Sequence, residues 1–383
     1  MQGRGGLVLV LLALAAAVGL VGAFVAAGGA ERLQAQPAAA GQASDACSAA
    51  APPVAAGAAL EAEASRILLV SLTGAACTLK VPREDLVLAL GRGSSVAAAA
   101  ATLGVGTTQL EGAVFGAIEQ SVASEEQAGR VTPTTALAIR TLVDIVPADR
   151  LLAAVQGSGD ACGSLPWKPV DGLSAVAAEI GVKTGLRTAC ALQVAPLEAI
   201  AALADPAGLA GLATRSGRSP AEVERAVRTA IGASIAEAAA AGALSGTEGS
   251  VLGAAARVAP VDRLLAIVRG DDDPCAPFPW PGSTSQSEAL AAVAMIGVVD
   301  AACHLGVPTF DAFAALADQA ELDRLLAASG KTQADVEAAL RSGLGTGLSA
   351  GQDAGAISGL EALLLRGVLS QVGILDLLRN FVG

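Results

Sequence analysis

Val223, Val227, Ile231 and Ile235 stand four residues apart, the interval that stacks side chains on one face of an α-helix. Just ahead of them, Ser219-Pro-Ala-Glu222 offers a hydroxyl and a carboxylate that can each satisfy a backbone N–H of a helix start. Its proline falls at the first helical position, where the missing N–H does no harm. Thr332-Gln-Ala-Asp335 repeats that start, and Ser245-Gly-Thr-Glu248 and Ser358-Gly-Leu-Glu361, with Thr132-Pro133 in the same place, open a further helix. Gly104, Gly217 and Gly330 stand where helices should end and the chain must turn at positive φ. Ile67 to Leu72 taken alone reads as a strand, yet its counterparts Ile180 to Leu186 and Ile296 to Ala301 look helical. The expected fold class is all-α.

These features return at a fixed interval. Of the six cysteines, Cys77, Cys190 and Cys303 lie 113 residues apart, as do Cys162 and Cys275, with Cys47 completing the set. Asp160-Ala-Cys162 recurs as Asp273-Pro-Cys275, and Pro166-Trp167 recurs as Pro279-Trp280. Val146-Pro-Ala-Asp-Arg-Leu-Leu152 returns as Ala259-Pro-Val-Asp-Arg-Leu-Leu265, and Leu90, Leu203 and Leu316 align. Such a period marks a chain assembled from copies of one supersecondary unit. Helical repeats are expected at 47–159, 160–272 and 273–383, each of five or six helices joined by short turns. An even cysteine set at a fixed period, in a chain whose apolar N-terminal run Leu7 to Ala27 reads as an export segment, predicts one disulfide per repeat: Cys47–Cys77, Cys162–Cys190 and Cys275–Cys303. Each such loop is worth roughly 3–4 kcal/mol in the chain-entropy account. The competing scheme joins Cys77 to Cys162 and Cys190 to Cys275, leaving Cys47 to reach Cys303 across the whole array.

Before the repeats, Leu7 to Ala27 is an uncharged apolar run of 21 residues with Arg4 ahead of it. It is as long as a membrane span and longer than a usual signal-peptide core, although much of it is only Ala or Gly. Ala26-Ala-Gly-Gly-Ala30 and Gln36-Pro-Ala-Ala-Ala40 are small enough for a signal peptidase. Residues 1–30 therefore read as a signal peptide or an N-terminal hydrophobic anchor helix, and 31–46 as a flexible linker. Both readings place the rest of the chain outside the cytoplasm, secreted or membrane-anchored, with the basic end inside. The membrane is then a partner wherever the segment stays uncleaved.

Composition limits the core and the partners. Hydrophobic residues make up 53% of the 383, charged residues 16% and aromatics 2%, with no Tyr. A core of small side chains buries little area per residue, which makes covalent staples valuable. Net charge is -12 without a basic block, and such a surface repels phosphate backbones, so no nucleic-acid partner is expected. The stretch from Ala210 to Glu224 has the outline of a helix-turn-helix. Ala101 to Leu110 of the first repeat has it too, but the recognition helix there begins Thr107-Thr-Gln-Leu-Glu-Gly-Ala-Val114 and carries no Lys or Arg to meet DNA.

Candidate chemistry is sparse. His304 is the sole histidine and aligns with Thr78 and Ala191, so a Ser–His–acid site would rest on one repeat, without a Gly-x-Ser-x-Gly elbow. Cysteine zinc ligands are less expected than disulfides in an oxidising compartment. Asp271-Asp-Asp273 offers the oxygens that calcium prefers but lacks the alternating twelve-residue loop, and reads as a solvated acidic turn. Glu111, Glu224 and Glu337 recur once per repeat and are expected in the first turn of a helix, opposing its dipole. Trp167 and Trp280, set among prolines, are the candidate ligand or partner surface; packing over the disulfide and the adjacent helix is the plainer expectation. Val54 takes their place in the first repeat.

The expected molecule is an array of three tandem disulfide-stapled helical bundles, acting without enzymatic activity, cofactor or metal as an extracytoplasmic structural or protein-interaction scaffold with a cell-envelope protein partner. A binding module for a small or cell-envelope ligand is the first alternative, and a hydrolase the second.

Overall fold

The structure, a computed structural model, describes Cys47 and residues 60–93, 95–129, 133–155, 162–168, 172–204, 207–281, 285–317 and 319–371. The N-terminal apolar segment, the linker before Cys47 and Val54 lie outside the described residues.

The described residues form an all-α fold, without strands. In chain order the helices are α1 (Leu60–Leu79), α2 (Arg83–Arg92), α3 (Val96–Leu103), α4 (Thr107–Gln127), α5 (Pro133–Ile145) and α6 (Ala148–Val155). Next come α7 (Leu173–Leu192), α8 (Pro196–Ala204), α9 (Gly208–Ser216), α10 (Pro220–Ala240), α11 (Gly246–Val258) and α12 (Val261–Arg269). The last five are α13 (Gln286–Leu305), α14 (Thr309–Ala317), α15 (Gln319–Ser329), α16 (Gln333–Asp353) and α17 (Gly359–Gln371). The starts of α1, α7 and α13 are 113 residues apart, as are those of α4, α10 and α16 and those of α5, α11 and α17.

The expected starts are in place. Ser245 with Glu248 and Thr332 with Asp335 form reciprocal capping boxes, and Ser219 with Glu222 and Ser358 with Glu361 make the same pairs of bonds. Ser285 with Glu288 is a further box at the start of α13. The Thr332 hydroxyl and backbone N–H both donate to Asp335 and hold its carboxyl below the usual carboxylate range. Gly104, Gly217 and Gly330 all adopt positive φ, at 70°, 65° and 67°.

A second left-handed position recurs with glycine at only one of its three places. Lys80 and Gln193 take φ of 57° and 56°, and Gly306, at the same interval, takes 69°. Each follows a disulfide-bearing helix: Val81, Val194 and Val307 donate back to the carbonyls of Ala76, Ala189 and Ala302, closing the helix end. A β-carbon makes this conformation unfavourable by roughly 1–2 kcal/mol. Gln193→Gly is therefore expected to raise stability slightly, by up to about 1 kcal/mol once glycine's extra unfolded-state entropy is subtracted. Urea denaturation checks this; a loss of stability would mean the Gln193 side chain makes a compensating contact.

The three disulfides are Cys47–Cys77, Cys162–Cys190 and Cys275–Cys303, with Cα atoms 4.9, 4.8 and 4.8 Å apart. The near-neighbour pairing is the one adopted. The second cysteine of each pair sits near the end of a 20-residue helix.

The chain divides into two compact units. One comprises Met1–Pro166 with Gly185–Val223, the other Trp167–Thr184 with Glu224–Gly383. In the first unit the core is small-residue packing of α1 on α4. Ala75, Ala76, Ala113 and Ala117 are buried with Leu72, Leu86, Leu110 and Leu152. Asp149 of α6 accepts the N–H of Val96, 2.6 Å away, and so caps α3 from a distant part of the chain.

In the second unit α13 packs on α16 with backbone almost against backbone. A β-carbon on Gly343 would lie 2.1 Å from the carbonyl oxygen of Gly297, and one on Gly347 would lie 2.5 Å from that of Val293. Helix α13 is long and apolar enough to cross a membrane. Here it is a core helix, burying Ala292, Met295, Ile296, Val299 and Ala302.

Candidate functional site

The two tryptophans sit in different surroundings. Trp167 is half-buried against the cluster of Val176, Ile235 and Ala238, within the second unit. Trp280 is half-buried between two clusters, one containing Ala292 and Met295 and the other Val293, Leu348 and Ile357. Its ring tip fills the space that a β-carbon on Gly351 would take.

Around Trp167 lies a charged group that hydrophobic patterning does not reveal. Lys183 Nζ stands 4.8 Å from the centre of the Trp167 ring, a cation over an aromatic face. The same ammonium donates to Glu237 Oε1 at 2.7 Å and lies 3.6 Å from Glu179 Oε1. Glu179 and Lys183 are buried, and Glu179 Oε1 also accepts the N–H of Lys168 at 3.1 Å. Thr184 donates to Ser234 across the same helix pair. Two atoms here, Glu179 Oε2 and Trp167 Nε1, are buried without a hydrogen-bond partner. The sequence signal was the helical spacing of Glu179 and Lys183, an ordinary surface pair on that criterion alone. At the corresponding places of α13 and α16 stand Ala292, Ile296 and Ala350.

The acidic triplet does not act as one group. Asp271 pairs with Arg269, Asp272 is held by Arg263 and by the Thr309 hydroxyl at 2.6 Å, and Asp273 accepts the N–H of Cys275. Asp272 is buried rather than part of a solvated turn. Among the described residues no His, Cys, Asp and Glu side chains gather into a group that could hold a metal ion.

Glu224 and Glu337 sit in the second turn of their helices, as does Glu111, because α4, α10 and α16 begin at Thr107, Pro220 and Gln333. The first-turn acids are Glu222 and Asp335. Glu224 instead pairs with Arg228, and Glu337 accepts from Gln333.

His304 is exposed, its Nδ1 2.9 Å from the Asp300 carbonyl oxygen and 3.3 Å from its carboxylate. The nearby hydroxyl of Thr346 donates to Asp300 and Ser342, away from the imidazole. Beside it an open depression is lined by Ser342, Thr346, Ser349, Asp353 and Arg366, and Arg366 is engaged by Ser349 and Gln352.

The recurring Asp-Arg dipeptide has a structural task. Arg150 donates to the carbonyls of Gly163 and Ser164 beside Cys162, and Arg263 donates to those of Asp273 and Ala276 beside Cys275. Each arginine thus ties the end of one 113-residue period to the cysteine loop that opens the next.

Comparison with known proteins finds no matching family model, no similar curated protein and no similar solved structure.

Proposed function

We propose that this chain is a non-enzymatic extracytoplasmic scaffold: three tandem disulfide-stapled helical bundles behind an N-terminal signal peptide or membrane anchor, serving as a structural or protein-interaction component of the cell envelope. The observation that carries the reading is a constant frame around a varying interior. Helix starts, the second cysteine of each disulfide and left-handed turns keep one interval, the turns even at Lys80 and Gln193. Polar groups inside the frame change from period to period, from Glu179 and Lys183 to Ala292 and Ile296. Selection for one repeated catalytic constellation would leave the opposite trace. Repetition of a frame instead multiplies similar surfaces, which suits an extended or multivalent binder.

A second reading, a module for a small or cell-envelope ligand, is favoured by the unpartnered Glu179 Oε2 and Trp167 Nε1 in one corner.

Chemical crosslinking of the full chain in whole cells, followed by fractionation under non-reducing conditions, tests the scaffold. Discrete protein adducts carrying three intact disulfides in the extracytoplasmic fraction are the expected result. A chain recovered free of adducts, or in the cytoplasm with reduced thiols, overturns it.

A further inference from the structure

The last described helix exposes an apolar stripe. Leu360, Leu363, Leu364 and Val368 of α17 are 68%, 65%, 62% and 50% exposed, and their spacing puts them on one helix face. Four large apolar side chains exposed together on one helix face mark an interaction surface, unlike singly scattered exposed hydrophobics.

The fold itself shows what covers this face elsewhere. Val368 corresponds, one period earlier, to Ala255 of α11, and two periods earlier to Leu142 of α5. Those two are 7% and 2% exposed. In the second unit Ala255 lies in one cluster with Ala292 and Met295, so the first long helix of the following period, α13, covers α11. The matching surface shows the converse pattern. Met295 of α13 is 2% exposed and Val182 of α7 is 5% exposed, whereas Leu69, their counterpart on α1, is 38% exposed. Among the described residues, the Leu69 face of α1 and the Val368 face of α17 are thus the exposed counterparts of the two surfaces that meet where α13 covers α11.

We infer that a second copy of this chain supplies the missing half: the α17 stripe of one molecule receives the Leu69 face of α1 of the next, head to tail. The contact is heterologous, so it propagates rather than closing on a pair. The inference rests on the modular reading above and names the partner of its end surfaces.

The test uses the full chain in mild detergent with its disulfides formed. Wild type is expected to show a mass distribution that lengthens with concentration in sedimentation velocity. Leu69→Asp and Val368→Asp chains, each blocked at one end, are each expected to remain monomeric, with unchanged circular dichroism. Mixed together they are expected to form heterodimers, because each contributes the end the other lacks. A photo-crosslinking residue at position 364 is expected to label α1 of another molecule. A wild type that is monomeric at every concentration overturns the inference, as does assembly that persists in Leu69→Asp, which would mean α17 pairs with itself. So does a crosslink from position 364 to residues 372–383 or to lipid. In each of these cases protein adducts in whole cells can still form, so the scaffold reading stands or falls separately.

Discussion

Gly343→Ala is expected to destabilise the second unit toward the upper end of the roughly 1–3 kcal/mol that overpacking usually costs. The added methyl group would meet the carbonyl oxygen of Gly297 at 2.1 Å and the N–H of Ala301 at 3.2 Å. Both are backbone atoms of α13, so no rotamer change relieves the clash; the helices must move apart and lose the contacts between them. Gly345→Ala, two residues away on the same helix, carries the opposite expectation. A β-carbon there has nothing within 4 Å, and alanine's better helix propensity should add up to about 1 kcal/mol of stability. Denaturant melts of the two variants side by side decide the matter. Equal effects would mean that α13 and α16 do not approach as closely as described.

Lys183→Met is the second large effect, an expected loss of about 3–5 kcal/mol, because it strips a buried carboxylate of its counter-charge. Glu179 is fully buried, and Glu237, the tighter partner at 2.7 Å, is only partly so. Glu237 can turn to water when the ammonium is removed, and Glu179 cannot. Adding Glu179→Gln to Lys183→Met should therefore recover most of the loss, since the amide places no charge in the core and keeps an oxygen for the N–H of Lys168. Thermal melts of the single and double variants give the comparison. A single variant as stable as the parent would show that Lys183 is not the counter-charge of Glu179. Tryptophan fluorescence is a second readout, because the ammonium lies over the Trp167 ring.

How much of this was legible beforehand differs by kind of feature. Capping pairs such as Ser245 with Glu248 act within one helical turn, so their spacing in sequence is already their geometry. The preferred disulfides were legible for a related reason: the second cysteines recur at one interval, each preceded by another cysteine 30 or 28 residues earlier, and a single pairing rule serves all three. The turns at Gly104, Gly217 and Gly330 followed from glycine's tolerance of positive φ, whereas those at Lys80 and Gln193 did not, because neither residue favours that conformation.

The candidate site was far less legible. Trp167 stood out by rarity, but its neighbour Lys183 did not, since a Glu–Lys pair four residues apart is common on exposed helix surfaces. Only α10, bringing Glu237 and Ser234 against that side of α7, makes the pair interior. Asp271, Asp272 and Asp273 looked like one acidic turn; Asp271 and Asp273 do bond within two residues, to Arg269 and to the N–H of Cys275, but Asp272 is buried against Thr309, 37 residues on.

From sequence alone came the helical class, the helix starts, the 113-residue interval and a choice between two cysteine pairings, because each depends on contacts within a turn, on loop closure, or on comparison of the chain with itself. Tertiary structure alone decided which faces of those helices are inside. That choice separates Gly343 from Gly345, makes Glu179 a core charge, and leaves Leu69 and Val368 exposed where Met295 and Ala255 are covered. Burial is a property of two surfaces that meet, and residues far apart in the chain supply the second surface.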